Sequence, residues 1–114
     1  MKNFIICKKK CVYAIYYEVY FQNKGKMKLW IDKDNPKELF ITDLYVNENF
    51  RKQGIGQKLL NYSIKAAKKL GHKKIALRVF SGSWMEFWYR KNGFVFDYVY
   101  EEDKLMTYLH KNII

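Results

Sequence analysis

Arg51-Lys52-Gln53-Gly54-Ile55-Gly56 stands where the apolar periodicity of the chain changes. Before it, residues 38–46 (Glu-Leu-Phe-Ile-Thr-Asp-Leu-Tyr-Val) read as a strand rich in β-formers. After it, Ile55, Leu59, Leu60, Ile64, Ala67 and Leu70 recur at helical spacing, with Lys58, Lys65, Lys68 and Lys69 on the opposite side. Two glycines one residue apart let a backbone approach a ligand closely. At a helix start, the unpaired N–H groups and the positive end of the helix dipole point the same way, so the junction suits an anion such as phosphate. Arg51 and Lys52 add positive charge beside it. A lone Gly-x-Gly also occurs in ordinary strand-to-helix turns. A dinucleotide fingerprint would need a third glycine where this chain has Leu59. The Gly-Lys-Ser/Thr of a nucleotide-hydrolase phosphate loop is absent.

Upstream, residues 3–8 predict a short strand, and the lysines of Cys7-Lys8-Lys9-Lys10-Cys11 a hairpin turn. Residues 11–22 predict an alternating strand, with Tyr13, Ile15, Tyr17, Val19 and Phe21 on one face. Asn23-Lys24-Gly25-Lys26 is a turn signal, 27–31 the next strand, and 32–36 a polar turn closed by Pro36. Downstream, the helix over 54–70 ends at Gly71, a C-cap residue. Residues 74–80 predict a buried strand. Ser83 is placed to cap a second helix over 84–91, which Asn92-Gly93 ends. Residues 94–100 and 104–110 predict two more strands around an acidic turn at 101–103, with the last four residues loose. The strand–helix–strand unit from 38 to 80 requires a parallel pair.

With 114 residues, 49% of them apolar and 18% aromatic, the chain is expected to be one domain, 1–114, with one core. The net charge of +11 draws anionic partners: nucleic acid, anionic lipid, acidic protein or a polyphosphate cofactor. It serves equally as a solubility charge. Only Arg51, Arg78 and Arg90 are arginine, few for a protein that reads bases. Cys7 and Cys11 have no neighbouring histidine, and His72 and His110 no metal-ligand neighbour, so no metal site is expected. With no secretory leader and no membrane-length apolar run, the expected location is the cytoplasm.

Two separated stretches resemble the GNAT acetyltransferase superfamily. Leu44-Tyr45-Val46 followed by Arg51-x-x-Gly54-x-Gly56 is similar to its Arg/Gln-x-x-Gly-x-Gly/Ala motif. Trp88-Tyr89-Arg90-Lys91-Asn92-Gly93-Phe94 is similar to its aromatic-Tyr-x-Lys-x-Gly-Phe motif. The likeness covers residues 38–100. It implies an α+β, mixed α/β fold: a twisted mixed sheet of about six to seven strands, two main helices and a splayed central parallel pair. The helices usual between the first two strands are reduced or absent. It also implies an N-acyltransferase moving an acetyl group from acetyl-coenzyme A to a primary amine by direct attack, with no metal.

The same resemblance assigns roles. Backbone groups of Leu44, Tyr45 and Val46 would pair with the pantetheine arm where the parallel strands part near Val46. Arg51, Lys52, Gln53, Gly54, Ile55 and Gly56 would hold the pyrophosphate, assisted by Lys52, Gln57 or Lys58. Tyr89 would face the cofactor sulfur as general acid; composition by itself reads it as a core aromatic among Phe87, Trp88 and Phe94. The chain departs from the family at the base, where Thr42 and Phe40 replace the usual glutamates. Asp43 is the nearest carboxylate on that strand, Glu18 a neighbouring one, and a water chain the other route. Gly82 replaces an asparagine at the second helix, so Ser81 or Ser83 would substitute. The short first connection leaves the acceptor side open for a large acceptor or a homodimer. Trp30, Trp84 and Trp88 read as core or pocket-wall residues. Nucleic acid is not expected as the primary partner, nor a membrane. A basic nucleic-acid-binding module, or a coenzyme A binder without turnover, are the alternative readings.

Overall fold

The computed structural model describes residues 4–12, 14–99 and 106–113, without the side chains of Tyr98 and Val99. Seven strands form one sheet: β1 (Phe4–Lys10), β2 (Ala14–Phe21), β3 (Gly25–Asp32), β4 (Glu38–Val46), β5 (Lys74–Phe80), β6 (Val95–Val99) and β7 (Met106–Asn112). Their spatial order is β1-β2-β3-β4-β5-β7-β6. A single 3₁₀ turn (Glu48–Phe50) and α1 (Ile55–Lys69) connect β4 to β5, and α2 (Trp84–Lys91) connects β5 to β6. The α+β reading, the two helices and the splayed parallel pair are all present.

Amphipathic alternation explains the layering. Val19, Phe21, Met27, Leu29, Leu39, Ile41, Ile75, Leu77 and Val79 point to one face of the sheet, where Ile55, Leu59, Leu60, Ala67 and Tyr89 from the helices complete a single core. Gln57 of α1 bonds Asn92 at the end of α2 (Nε2–Oδ1 2.8 Å), so both helices lie on that face. The other face carries no helix among the described residues. It presents Tyr16 stacked on Trp30 (4.3 Å), with Phe40, Arg78 and Phe80.

Four local expectations need correction. Lys8, Lys9 and Lys10 are not a turn; they pair with Tyr17, Tyr16 and Ile15 at the edge of the sheet. Lysines on an edge strand discourage pairing with other chains, and the turn starts at Cys11, whose N–H donates to Ala14 O. Cys7 and Cys11 are both free thiols. In α1, Leu70 at the C-cap is exposed, while Ser63 is fully buried, its hydroxyl bonded back to Leu60 O. Trp84 is no core residue: it is 73% exposed on the first turn of α2.

The C-terminus is the fourth. β7 runs to Asn112 between β5 and β6, so both its edges are paired, and Ile113 is buried with its N–H on Lys73 O. Ile113→Ala is expected to cost about 2–4 kcal/mol, as other buried aliphatic truncations do. Urea melts will show it as a lower midpoint at unchanged slope; a midpoint equal to wild type would mean the tail is loose after all. The acidic turn at 101–103 and Tyr13 lie outside the described residues.

Candidate active site

β4 and β5 are paired in parallel over three rungs only, Glu38↔Lys74, Leu39↔Ile75 and Phe40↔Ala76. From Ile41 onward β4 has no ladder partner on that side. The gap therefore opens well before Val46, where the sequence placed it, and α1 packs over both strands behind it. Leu44 and Val46 turn toward the helices and Tyr45 toward solvent.

The opposite edge of β4 is irregular at the same level. Lys26 pairs with Tyr45 but Lys28 with Thr42, so Asp43 and Leu44 together face Met27 in a bulge. Asp43 sits at φ +57°, a left-handed conformation that costs a non-glycine residue about 1–2 kcal/mol. Such strain persists where surrounding structure over-determines it, commonly at functional sites. The bulge turns Asp43 to the helix-free face, where it meets Lys28 (3.6 Å) and Thr42 (Oγ1–Oδ2 3.5 Å), and Trp30 Nε1 donates to Thr42 Oγ1 (2.7 Å).

The glycine loop follows. Lys52 (φ +63°) and Gly54 (φ +79°) are both left-handed, which folds the backbone so that successive N–H groups line a concavity. Gly54 is the N-cap of α1 and supplies no side-chain cap. The N–H groups of Ile55, Gly56 and Gln57 therefore have no partner among the described residues, and Lys58 N–H is the first to close the helix, on Gly54 O. A Cβ on Gly54 would meet nothing within 4 Å, so open space stands beside these donors. That is a fit for a pyrophosphate.

The flanking side chains are distributed unevenly. Arg51 folds back, with Nε on Val46 O (3.0 Å) and its guanidinium over the Tyr45 ring. It fastens the loop to β4 and engages a carbonyl that the pantetheine arm was expected to use. The Gln57 amide is spent on Asn61 and Asn92, so Gln57 has only its backbone N–H for an anion. Lys58 Nζ lies over the Phe21 ring (5.2 Å). Lys52 and Gln53 remain exposed beside the open space.

Ser83 caps α2, accepting from Glu86 N–H (3.3 Å). Ser81 Oγ meets Thr107 Oγ1 (2.6 Å), joining the end of β5 to β7. Tyr89 is buried, edge-on to Trp88 (4.9 Å) and Phe94 (5.3 Å). Burial pushes its phenol far above the ordinary value, so it keeps its proton at any working pH. Trp88 also faces Gly56, which ties the second motif to the first.

Asp43 and Glu18, far apart in sequence, line one cavity of about 480 Å³ with Tyr20, Lys26, Met27, Lys28, Leu44 and Tyr45. Tyr89 is not part of its wall. Sequence reasoning missed Tyr20, whose hydroxyl donates to Glu18 Oε2 (2.6 Å), and Lys28. Strand alternation puts Glu18 and Tyr20 on one face, but nothing local says that the bulge of β4 turns Asp43 toward them. His72 Nδ1 is bound to Pro36 O (2.7 Å), and His110 lies against Asp97. Among the described residues no His, Cys, Asp and Glu group could hold a metal, and no helix is long and apolar enough to cross a membrane.

Comparison with known proteins gives a family. No curated protein matches the chain. Among solved structures, a Bacillus subtilis acetyltransferase in complex with CoA is 22% identical, with TM-score 0.68, covering 89% of this chain and 78% of its own. An IAA acetyltransferase from Bacillus cereus is 23% identical (TM-score 0.66; 87% and 77% covered). The ribosomal-protein-S18-alanine N-acetyltransferase of Escherichia coli is 16% identical (TM-score 0.69; 91% and 72%). These likenesses are in the fold. The family model described as the Acetyltransferase (GNAT) domain matches residues 8–96, which takes in the glycine loop, the splayed pair and α2. The chain belongs to the GNAT acetyltransferase family.

Proposed function

We propose that this protein transfers an acetyl group from acetyl-coenzyme A to the primary amine of an acceptor. The observation that carries this is the uncapped start of α1: three N–H donors without a partner among the described residues, behind a left-handed Gly54, at the end of a strand whose edge has left its partner. A pyrophosphate satisfies those donors, and an extended pantetheine arm satisfies the strand edge, as an added strand would. The net charge of +11 favours approach of so anionic a donor.

When bound, coenzyme A supplies the acetyl group as a thioester, an already activated acyl donor. The chain then has three tasks. β4 and the loop fix the donor, so that attack becomes effectively unimolecular. Tyr89 presents a phenol that is always protonated, a donor for negative charge arriving at sulfur. An ordinary phenol near 10 is less acidic than an ordinary thiol near 8.5, and burial widens that gap. Tyr89 would therefore serve as a hydrogen-bond donor to the departing sulfur rather than as the source of its proton. The proton of the acceptor ammonium passes to a carboxylate of the cavity, Asp43 or Glu18, or through water to solvent.

The test is thermal stabilisation. A cofactor bound at micromolar Kd stabilises by about 3–4 kcal/mol at 100- to 1,000-fold excess. Coenzyme A and acetyl-coenzyme A should both raise the melting temperature at moderate salt, and a mixed-sequence oligonucleotide should not. A shift with the oligonucleotide alone, vanishing with salt, would replace this reading with nucleic-acid binding.

A further inference from the structure

Three strands of the helix-free face carry a row of alternating charge. Glu18 on β2 stands directly opposite Lys28 on β3, and Lys28 reaches across to Asp43 in the bulge of β4. One ammonium thus lies between two carboxylates and is bound to one of them. The other, Glu18, is half-buried, and its one described partner is the neutral hydroxyl of Tyr20. A phenol satisfies one oxygen of the carboxylate without neutralising it; Glu18 Oε1 is left for a cation. Two residue pairs further along, the next pair on this face, Lys26 stands opposite Tyr20, exposed at the rim of the same cavity.

The cavity is therefore balanced, Glu18 and Asp43 against Lys26 and Lys28, within a chain of net charge +11. That balance bears on the acceptor. A simple amine is cationic at neutral pH and is repelled by the field that draws the donor in. A zwitterion has no net charge to be repelled, and it has one group for each unspent partner. On neighbouring strands of a sheet, diagonal positions such as Glu18 and Lys26 have Cβ atoms about 7–8 Å apart. Long side chains on such positions can grip an ammonium and a carboxylate separated by two or three bonds. Leu44, on the strand edge proposed to hold the donor, lines the same cavity, so the cavity adjoins that edge.

We propose that the acceptor is a small zwitterionic amine of the amino-acid type, its ammonium held by Glu18 and its carboxylate by Lys26, with Tyr20 positioning Glu18. This rests on the acetyl-transfer reading above and names the acceptor class at that site.

The experiment compares acetyl transfer to matched pairs that differ by the carboxylate alone: phenethylamine with phenylalanine, tryptamine with tryptophan, agmatine with arginine. The carboxylate-bearing member should have the higher kcat/KM by about tenfold or more, as one charge-assisted hydrogen bond allows. E18Q should raise KM for that acceptor by about tenfold with a smaller change in kcat. Y20F should raise it less, and a rise in KM without a fall in melting temperature separates positioning from a merely structural role. K26Q should collapse the preference within each pair. Coenzyme A should still raise the melting temperature of all three variants as in wild type, showing that fold and donor site are intact. Equal or better use of the plain amines, a preference that survives K26Q, an E18Q with unaltered KM, or no turnover of either member by a wild type that coenzyme A stabilises, would each overturn the acceptor class while leaving the donor site standing. A wild type that coenzyme A does not stabilise would overturn both.

Discussion

Gly54→Val is expected to weaken coenzyme A binding by about a hundredfold or more while leaving the protein folded. The two effects have separate causes. Gly54 stands at φ +79°, where an L-residue costs about 1–2 kcal/mol and a β-branched one more. A Cβ there meets no atom within 4 Å, so no clash adds to that strain. Differential scanning calorimetry should show a melting temperature lower by about 5–10 °C. Binding suffers further, because the valine methyls enter the open space beside the N–H groups of Ile55, Gly56 and Gln57. Hydrogen bonds to a charged group are each worth about 1.5–3 kcal/mol, and losing two of them accounts for the hundredfold. Gly56→Ala is the contrasting variant. Gly56 has no positive φ, and its Cβ would make ordinary contacts of 3.8 Å with Trp88 and Val46. Calorimetric titration should find Gly56→Ala within about threefold of wild type. Gly54→Val binding within tenfold of wild type would place the pyrophosphate elsewhere.

Tyr89→Phe should lower kcat by about 10- to 100-fold, with KM for acetyl-coenzyme A changed by less than about threefold, because the lost interaction forms only as charge reaches sulfur. The upper range of general acid catalysis, 10⁴-fold, is not expected of a group that donates a hydrogen bond without surrendering its proton. The variant is a clean probe. Among the described residues the Tyr89 hydroxyl has no hydrogen-bond partner, while its ring makes the contacts to Trp88 and Phe94 that phenylalanine keeps. Stability should stay within about 1 kcal/mol of wild type at neutral pH. It should differ at alkaline pH. The folded phenol titrates above the unfolded one, so the folded state binds more protons as pH rises past about 10, and stability falls there. Tyr89→Phe removes that contribution, so the variant should lose less stability above pH 10. An unchanged kcat would make Tyr89 a packing residue.

How much of this was legible in advance follows from the range of the interactions involved. β4, β5 and α2 appear with the bounds read from their periodicity, and Ser83 caps α2 as its position before a helical run implies. Capping, turn chemistry and the periods of 2 and 3.6 act over a few residues. Burial is less local. Leu70 continues the apolar stripe of α1 but lies past the last turn that meets the sheet, whereas Ser63 is buried because its hydroxyl is satisfied within its own turn. The tail misleads for the same reason: Lys111, Asn112 and Ile113 look like a polar frayed end until β7 is seen between β5 and β6.

The sequence by itself determined the succession of strands and helices, the glycine turn at a helix start, and the pair of motifs that belong to the GNAT family, because each is written in neighbouring residues. Only the tertiary structure decided where the parallel strands part, that the bulge at Asp43 turns its carboxylate to the helix-free face, and that Glu18, Tyr20, Lys26 and Lys28 share its cavity. Strand register and bulges arise from hydrogen bonds between segments distant in the chain, each satisfied only when the whole sheet is assembled. The glycine loop is therefore visible in six consecutive residues, and the cavity that Glu18 and Asp43 share only in the folded sheet.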